Sequence, residues 1–268
     1  DHGDARHLGP DRVQREYSPG AWKPHLWLFL PTLENSYGEA IGRYFDLCVN
    51  ELGFDGIYWD NLYLSANYDT VAGGAWVDEK GRTHPGMGLW AMRDLIKRTA
   101  FLFNEEGKPV FSNVAHMTNT NIVPILSFAN VNLDWEWQYG KRDFQDRFAP
   151  DLTVAESIGR QCGNIPLILA GGFYDANDPA YAWCMRTRTG VCLVHEIRVW
   201  DWQPATHYDL VKKLLEFGYG TAECRVYNYW DEGFPLTTEG ADVRGIVMAT
   251  GQRAVVIVTS YGEDGECR

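Results

Sequence analysis

No stretch of the 268-residue chain approaches the roughly 18 consecutive apolar residues that a membrane-spanning helix needs, so no membrane span is expected. The N-terminal Asp1-His2-Gly3-Asp4 has neither an initiator Met nor the apolar core of a signal peptide, and we expect the chain to be part of a longer one. Phosphate-cradling patterns such as GxGxxG and GxxxxGK[ST] are missing, which argues against a nucleotide, and we expect no cofactor. The six cysteines (Cys48, Cys162, Cys184, Cys192, Cys224, Cys267) show no CxxC spacing, and the seven histidines form no HxH or HExxH, so no metal is expected. His2, Asp4 and His7 fall in an N-terminal segment that reads as frayed. Basic residues are few: 24 Lys and Arg against 36 Asp and Glu give a net charge of −12, a surface that would repel nucleic acid.

Aromatic residues, by contrast, are plentiful. They make up 14% of the chain and include 11 Trp, flat faces of the kind on which pyranose rings stack, beside a 45% hydrophobic content ample for a large core. Short apolar runs alternate with amphipathic stretches, the pattern of a parallel sheet covered by helices. Strands are expected at His25–Pro31, Phe54–Asp60, Pro109–His116, Asn130–Trp137, Ile165–Gly172 and Gly190–Glu196. Gly38–Leu52 and Leu89–Asn104 repeat apolar residues at helical spacing, with Gly53 and Gly107 as stops, and His207–Phe217 is a further helix. Six strand-helix units are two short of a (β/α)₈ TIM barrel. The expected fold is therefore α/β: such a barrel lacking its first strands over residues 1–220, then the start of a C-terminal β-sandwich-like domain over 221–268, where Gly245–Thr250 and Ala254–Ser260 form a hairpin across a Gly-Gln turn.

A barrel of this kind builds its site at the C-terminal ends of the strands and in the loops that follow. Period-two alternation in Phe54–Asn61 places Tyr58 and Asp60 on one face, and that in Asn130–Trp137 groups Asn132, Asp134 and Glu136 against Trp135 and Trp137. Glycoside hydrolysis needs two carboxyl groups across the scissile bond. Asp60 is the expected nucleophile and Glu136 the general acid/base, with Asp134 able to replace Glu136; nearby tryptophans would raise the pKa of the acid by desolvation. Tyr58, Trp59, Asn61, Trp76, Asn113, His116, Trp135, His195, Glu196 and Arg198 are the expected substrate-binding residues. The insertion Leu62–Gly88, directly after Asp60 and containing a hairpin at Ala75–Arg82, should wall the site, with Trp76 or Trp90 near it.

The run GFDGIYWDN (Gly53–Asn61) resembles the fourth-strand nucleophile segment of retaining α-galactosidase-type barrels. Together with PTLENSYG (Pro31–Gly38) and SFAN…LDWEW (Ser127–Trp137), it makes the chain similar, over roughly Pro24–Phe217, to the barrel domain of glycoside hydrolase family 123-like proteins. The resemblance implies a barrel and a sugar hydrolase whose partner is an oligosaccharide or glycan, and hence an extracellular or periplasmic location. Family 123 enzymes resemble hexosaminidases in using an adjacent Asp-Glu pair. Here the adjacent acid pairs Asp78-Glu79, Glu105-Glu106 and Asp231-Glu232 end no expected barrel strand, so a substrate-assisted N-acetylhexosaminidase stands only as an alternative. A non-catalytic carbohydrate-binding barrel is the other.

Overall fold

The computed structural model describes residues 2–16, 26–62, 64–72, 74–102, 112–116, 123–136, 143–147, 149–156, 163–169, 177, 181–200, 205–237 and 242–262. They form two compact units, Asp1–Asn132 and Leu133–Arg268. Five strands, β1 (Gly56–Trp59), β4 (Ser112–His116), β5 (Val131–Glu136), β6 (Ile165–Leu169) and β7 (Arg198–Trp200), lie in chain order in one parallel sheet. The fold is α/β, and the described strands do not close into a barrel. No helix among the described residues is long and apolar enough to cross a membrane.

In the first unit, α1 (Ser36–Asn50) begins two residues before the expected Gly38, where the Asn35 side chain caps it by accepting from the Gly38 N–H at 2.8 Å. Asp4 accepts from the Ser36 N–H at 2.7 Å and from its hydroxyl at 2.5 Å, while His2 Nδ1 lies 2.9 Å from the same hydroxyl. The bonds to Ser36 hold the Asp4 carboxyl below its ordinary pKa. The N-terminal segment is therefore pinned to the helix, not frayed. Gly38 is required there, since a Cβ would stand 1.8 Å from the Thr32 carbonyl oxygen. After α1, the chain turns at Gly53 (φ 70°) into β1. A small hairpin, β2 (Trp76–Val77) with β3 (Thr83–His84), occupies the long insertion, and α2 spans Leu89–Leu102. Leu95 and Ile96 of α2 pack with Trp59, Ala115, and Ile125 and Leu126 of the short α3 (Val123–Leu126), closing the helix-facing side of β1 and β4.

The segment expected as the first of the six visible barrel strands, His25–Pro31, does not join the parallel sheet in its described part. It makes antiparallel bridges, Phe29 to Arg6 and Trp27 to Glu16. An apolar run specifies an extended segment but not its partner.

In the second unit, α4 (Pro150–Glu156) precedes β6, and α5 (Tyr181–Val194) and α6 (Ala205–Phe217) flank β7. The expected strand Gly190–Glu196 is a correction: its apolar run Val191–Val194 is the buried end of α5, and the strand begins at Arg198. The helix stops in a Schellman turn, in which the Ile197 N–H donates to the Cys192 carbonyl at 2.8 Å and the Glu196 N–H to Leu193 at 3.3 Å. Glu196 itself takes the left-handed conformation (φ 59°) that glycine usually fills, so no residue type announces the stop. The same turn after α6 uses Gly218 (φ 117°), and that helix ends at the expected Phe217. A three-stranded antiparallel sheet follows, β8 (Arg225–Asn228), β9 (Val243–Thr250) and β10 (Arg253–Ser260), in the order β10-β9-β8. The β9-β10 pair is the expected hairpin, turning at Gly251. Compactness divides the chain after Asn132, whereas residue 220 falls inside the second unit, where Ile246 and Met248 of β9 share a core with Leu193, Val194, Val211 and Leu214.

Candidate functional site

The parallel register of β1 and β4 pairs Tyr58 with Val114 and Trp59 with Ala115. Carried one residue on, it sets Asp60 beside His116. Alternation then divides the residues: Trp59, Asn113 and Ala115 turn toward the helices, while Tyr58, Asp60 and His116 meet on the opposite face. Beyond Asp60 the backbone turns sharply through Asn61, left-handed at φ 55°, and the Leu62 N–H donates to the His116 carbonyl at 2.9 Å, fastening the loop to the end of β4.

The result is a solvent-facing carboxylate held from both sides. His116 Nδ1 donates to Asp60 Oδ1 at 2.8 Å, and the Asn61 amide donates to Oδ2 at 3.0 Å. The imidazole is almost wholly buried, whereas the Asp60 side chain is 56% exposed. The Tyr58 hydroxyl also lies against His116 Nδ1, and the half-exposed phenol stands at the same opening. A buried, hydrogen-bonded ring fixes the direction of a carboxylate without covering it. Chemically such a group can attack, or take a proton from, a molecule arriving from solvent.

Trp59 and Asn113, expected at the ligand, are instead core members. The indole N–H donates to Asn113 Oδ1 at 2.6 Å, the Asn113 amide donates to the Phe128 carbonyl at 2.8 Å, and its backbone N–H donates to Asn130 Oδ1 at 2.7 Å. Trp76 lies on the exposed hairpin, stacked on His84 with centroids 4.3 Å apart. Asp78 organises that turn, accepting from the Arg82 guanidinium at 2.7 Å and His84 at 3.0 Å, and His84 first among these partners draws its pKa down to about 2. Trp90, half of the alternative that the insertion supplies Trp76 or Trp90, stands exposed at the start of α2 on the wall of a cleft of about 690 Å³. The side chains of Asp134, Trp135 and Glu136 lie outside the described residues; only their backbone in β5 is described.

His195, Glu196 and Arg198 form a different structure. They precede or open β7, at the N-terminal end of that strand, and are knotted to the sheet that follows. His195 Nδ1 donates to the Val191 carbonyl at 2.8 Å, its Nε2 accepts from the Tyr229 hydroxyl at 2.9 Å, and Trp230 stacks on the ring. Burial, assisted by the charge of Arg244, pushes the His195 pKa down to about 4. The Glu196 carboxylate accepts from the Tyr219 hydroxyl at 2.9 Å and the Asn228 amide at 3.2 Å, and Arg198 covers the Tyr219 ring at 5.0 Å. Burial first, then the Glu196 charge, raises the Tyr219 pKa to about 12. Tyr219, Asn228 and Tyr229, partners that sequence reading missed, come from loops and an antiparallel strand with no motif to connect them to His195.

Among the described residues no group of three or more His, Cys, Asp or Glu stands close enough to hold a metal ion. Cys48, Cys184, Cys192 and Cys224 are free thiols. Comparison with protein-family models, with curated proteins and with solved structures finds no match.

Proposed function

We propose that the chain carries the catalytic barrel of a glycoside hydrolase that retains anomeric configuration, with Asp60 as the nucleophile and Glu136 as the general acid/base. The observation that supports this reading is the Asp60 carboxylate, oriented by His116 and Asn61 at the C-terminal end of a parallel strand yet open to solvent. Tyr58 and His116 then act beside it, Tyr58 toward the sugar and His116 through the carboxylate it holds. In this reading β1 and β4–β7 are five strands of a (β/α)₈ barrel, the substrate is an oligosaccharide or glycan, and the protein works outside the cytoplasm or in the periplasm.

A screen of aryl glycosides finds the sugar. Asp60→Asn should then cost at least about 10³-fold in kcat, because it removes the attacking oxygen at nearly constant volume. Glu136→Gln should spare substrates with good leaving groups and slow those with poor ones, which depend on protonation. The two carboxyl groups should stand about 5–5.5 Å apart. Near-normal turnover by Asp60→Asn would overturn the assignment, and oligosaccharide binding without any turnover would make the protein a binding barrel.

A further inference from the structure

We propose that the cleft of about 690 Å³ at the starts of α1 and α2 binds uncharged sugar rings of the substrate, with Trp90 as its stacking platform. This rests on the glycosidase reading and names the substrate class: a neutral glycan, not a uronate or sulfated one. Four apolar side chains stand open in this one cleft, Leu33, Val71, Met87 and Trp90, the indole 65% exposed. A cluster of wet apolar side chains of this kind marks a binding surface. Its rim carries the exposed carboxylates of Glu34 and Asp94. Among the described residues no Lys, Arg or His lines it; Arg93, the ion-pair partner of Asp94, turns onto the Phe128 ring.

That combination matches one chemistry. A pyranose offers an apolar C–H face to an indole and a ring of hydroxyl donors to carboxylates, and the volume lies within the 300–1,000 Å³ of small-ligand sites. An anionic sugar would meet the carboxylates of Asp4 and Glu34 with like charge, while Asp94 is already paired with Arg93 and no cation among the described residues lines the cleft itself. The cleft and the strand that ends in Asp60 belong to the same compact unit. Val71 and Met87 belong to the insertion that begins at Leu62, whose N–H is fastened to His116. Helices that follow parallel strands begin at the strands' C-terminal side, the side on which Asp60 sits.

The test titrates the full chain carrying Asp60→Asn, by calorimetry, with neutral gluco-, manno-, galacto- and xylo-oligosaccharides and with oligogalacturonides. At least one neutral oligosaccharide should bind, Trp90→Ala should weaken it about tenfold or more, Trp90→Phe should recover most of the loss, and oligogalacturonides should not bind. Because Trp90 is exposed, Trp90→Ala should melt with the parent. Unchanged affinity in Trp90→Ala, tighter binding of oligogalacturonides, or no binding of any neutral oligosaccharide overturns the proposal. If aryl glycosides are turned over with Asp60 essential but Trp90→Ala changes neither KM nor binding, the cleft proposal fails while the hydrolase reading stands. If Trp90-dependent binding is measured without turnover of any glycoside, the hydrolase reading fails and the cleft stands.

Discussion

Two polar clusters in this protein are built from the same kinds of side chain and have opposite characters. In the first unit a histidine, a tyrosine and a carboxylate meet at Tyr58, Asp60 and His116; in the second, at His195, Glu196, Tyr219 and Tyr229. Asp60 is largely exposed, whereas Glu196 is buried and both His195 and Glu196 bond to a strand or turn of the antiparallel sheet. Residue type therefore does not separate a carboxylate open to solvent from one tied into the interior. What separates them is which end of the strand carries the group, and whether its bonds leave a face open to solvent.

The sharpest way to break this comparison is to neutralise the two carboxylates in turn. Asp60→Asn should abolish turnover with little change in melting temperature, while Glu196→Ala should leave activity per folded molecule intact and cost about 2–4 kcal/mol, since a charged acceptor of two bonds is lost from the interior. Kinetics and denaturant unfolding of both variants check it; a fall in stability for Asp60→Asn with none for Glu196→Ala would reverse the assignment.

His195 gives the second test. Its folded pKa of about 4 lies below the ordinary 6.5, so the unfolded chain binds the proton more tightly. The contribution of this group is complete above pH 6.5 and is lost as pH falls toward 4, about 3 kcal/mol in all. His7, also lowered by burial, titrates in the same direction. The difference between the melting curves of the parent and His195→Gln from pH 7.5 to 4 isolates His195, and parallel curves would refute it.

Asn113 sharpens the comparison within the first unit. Asn113→Ala should cost about 1–3 kcal/mol by leaving the Trp59 indole N–H without its acceptor, and should leave KM unchanged. A change in KM at constant stability would return Asn113 to the ligand. The smallest effect is expected at the hairpin. Asp78, with its pKa drawn down to about 2, supports the turn above its ordinary pKa of 3.8 and ceases to do so as pH falls toward 2. Asp78→Ala should therefore change Trp76 fluorescence at neutral pH without moving the main melting transition.

Several elements were written in local pattern. The strand ending in Asp60 announces itself through alternation, α1 through its helical spacing and Gly53, and the β9-β10 hairpin through its Gly-Gln turn, because period, stop and turn chemistry act over a few residues. Three matters were decided only by the tertiary structure. The partner of the segment before Pro31 depends on a distant chain segment that periodicity does not encode. The end of α5 was hidden because Glu196, and not glycine, occupies the left-handed position, and because its last residues are all buried, Val191 and Cys192 in one core and Leu193 and Val194 in another, so that their apolar run shows no helical period. The roles of Trp59, Asn113, His195 and Glu196 depend on partners 23 to 54 residues away, such as Asn113 for Trp59 and Tyr219 for Glu196. A side chain's chemistry is set by what surrounds it, and only folding brings those surroundings together.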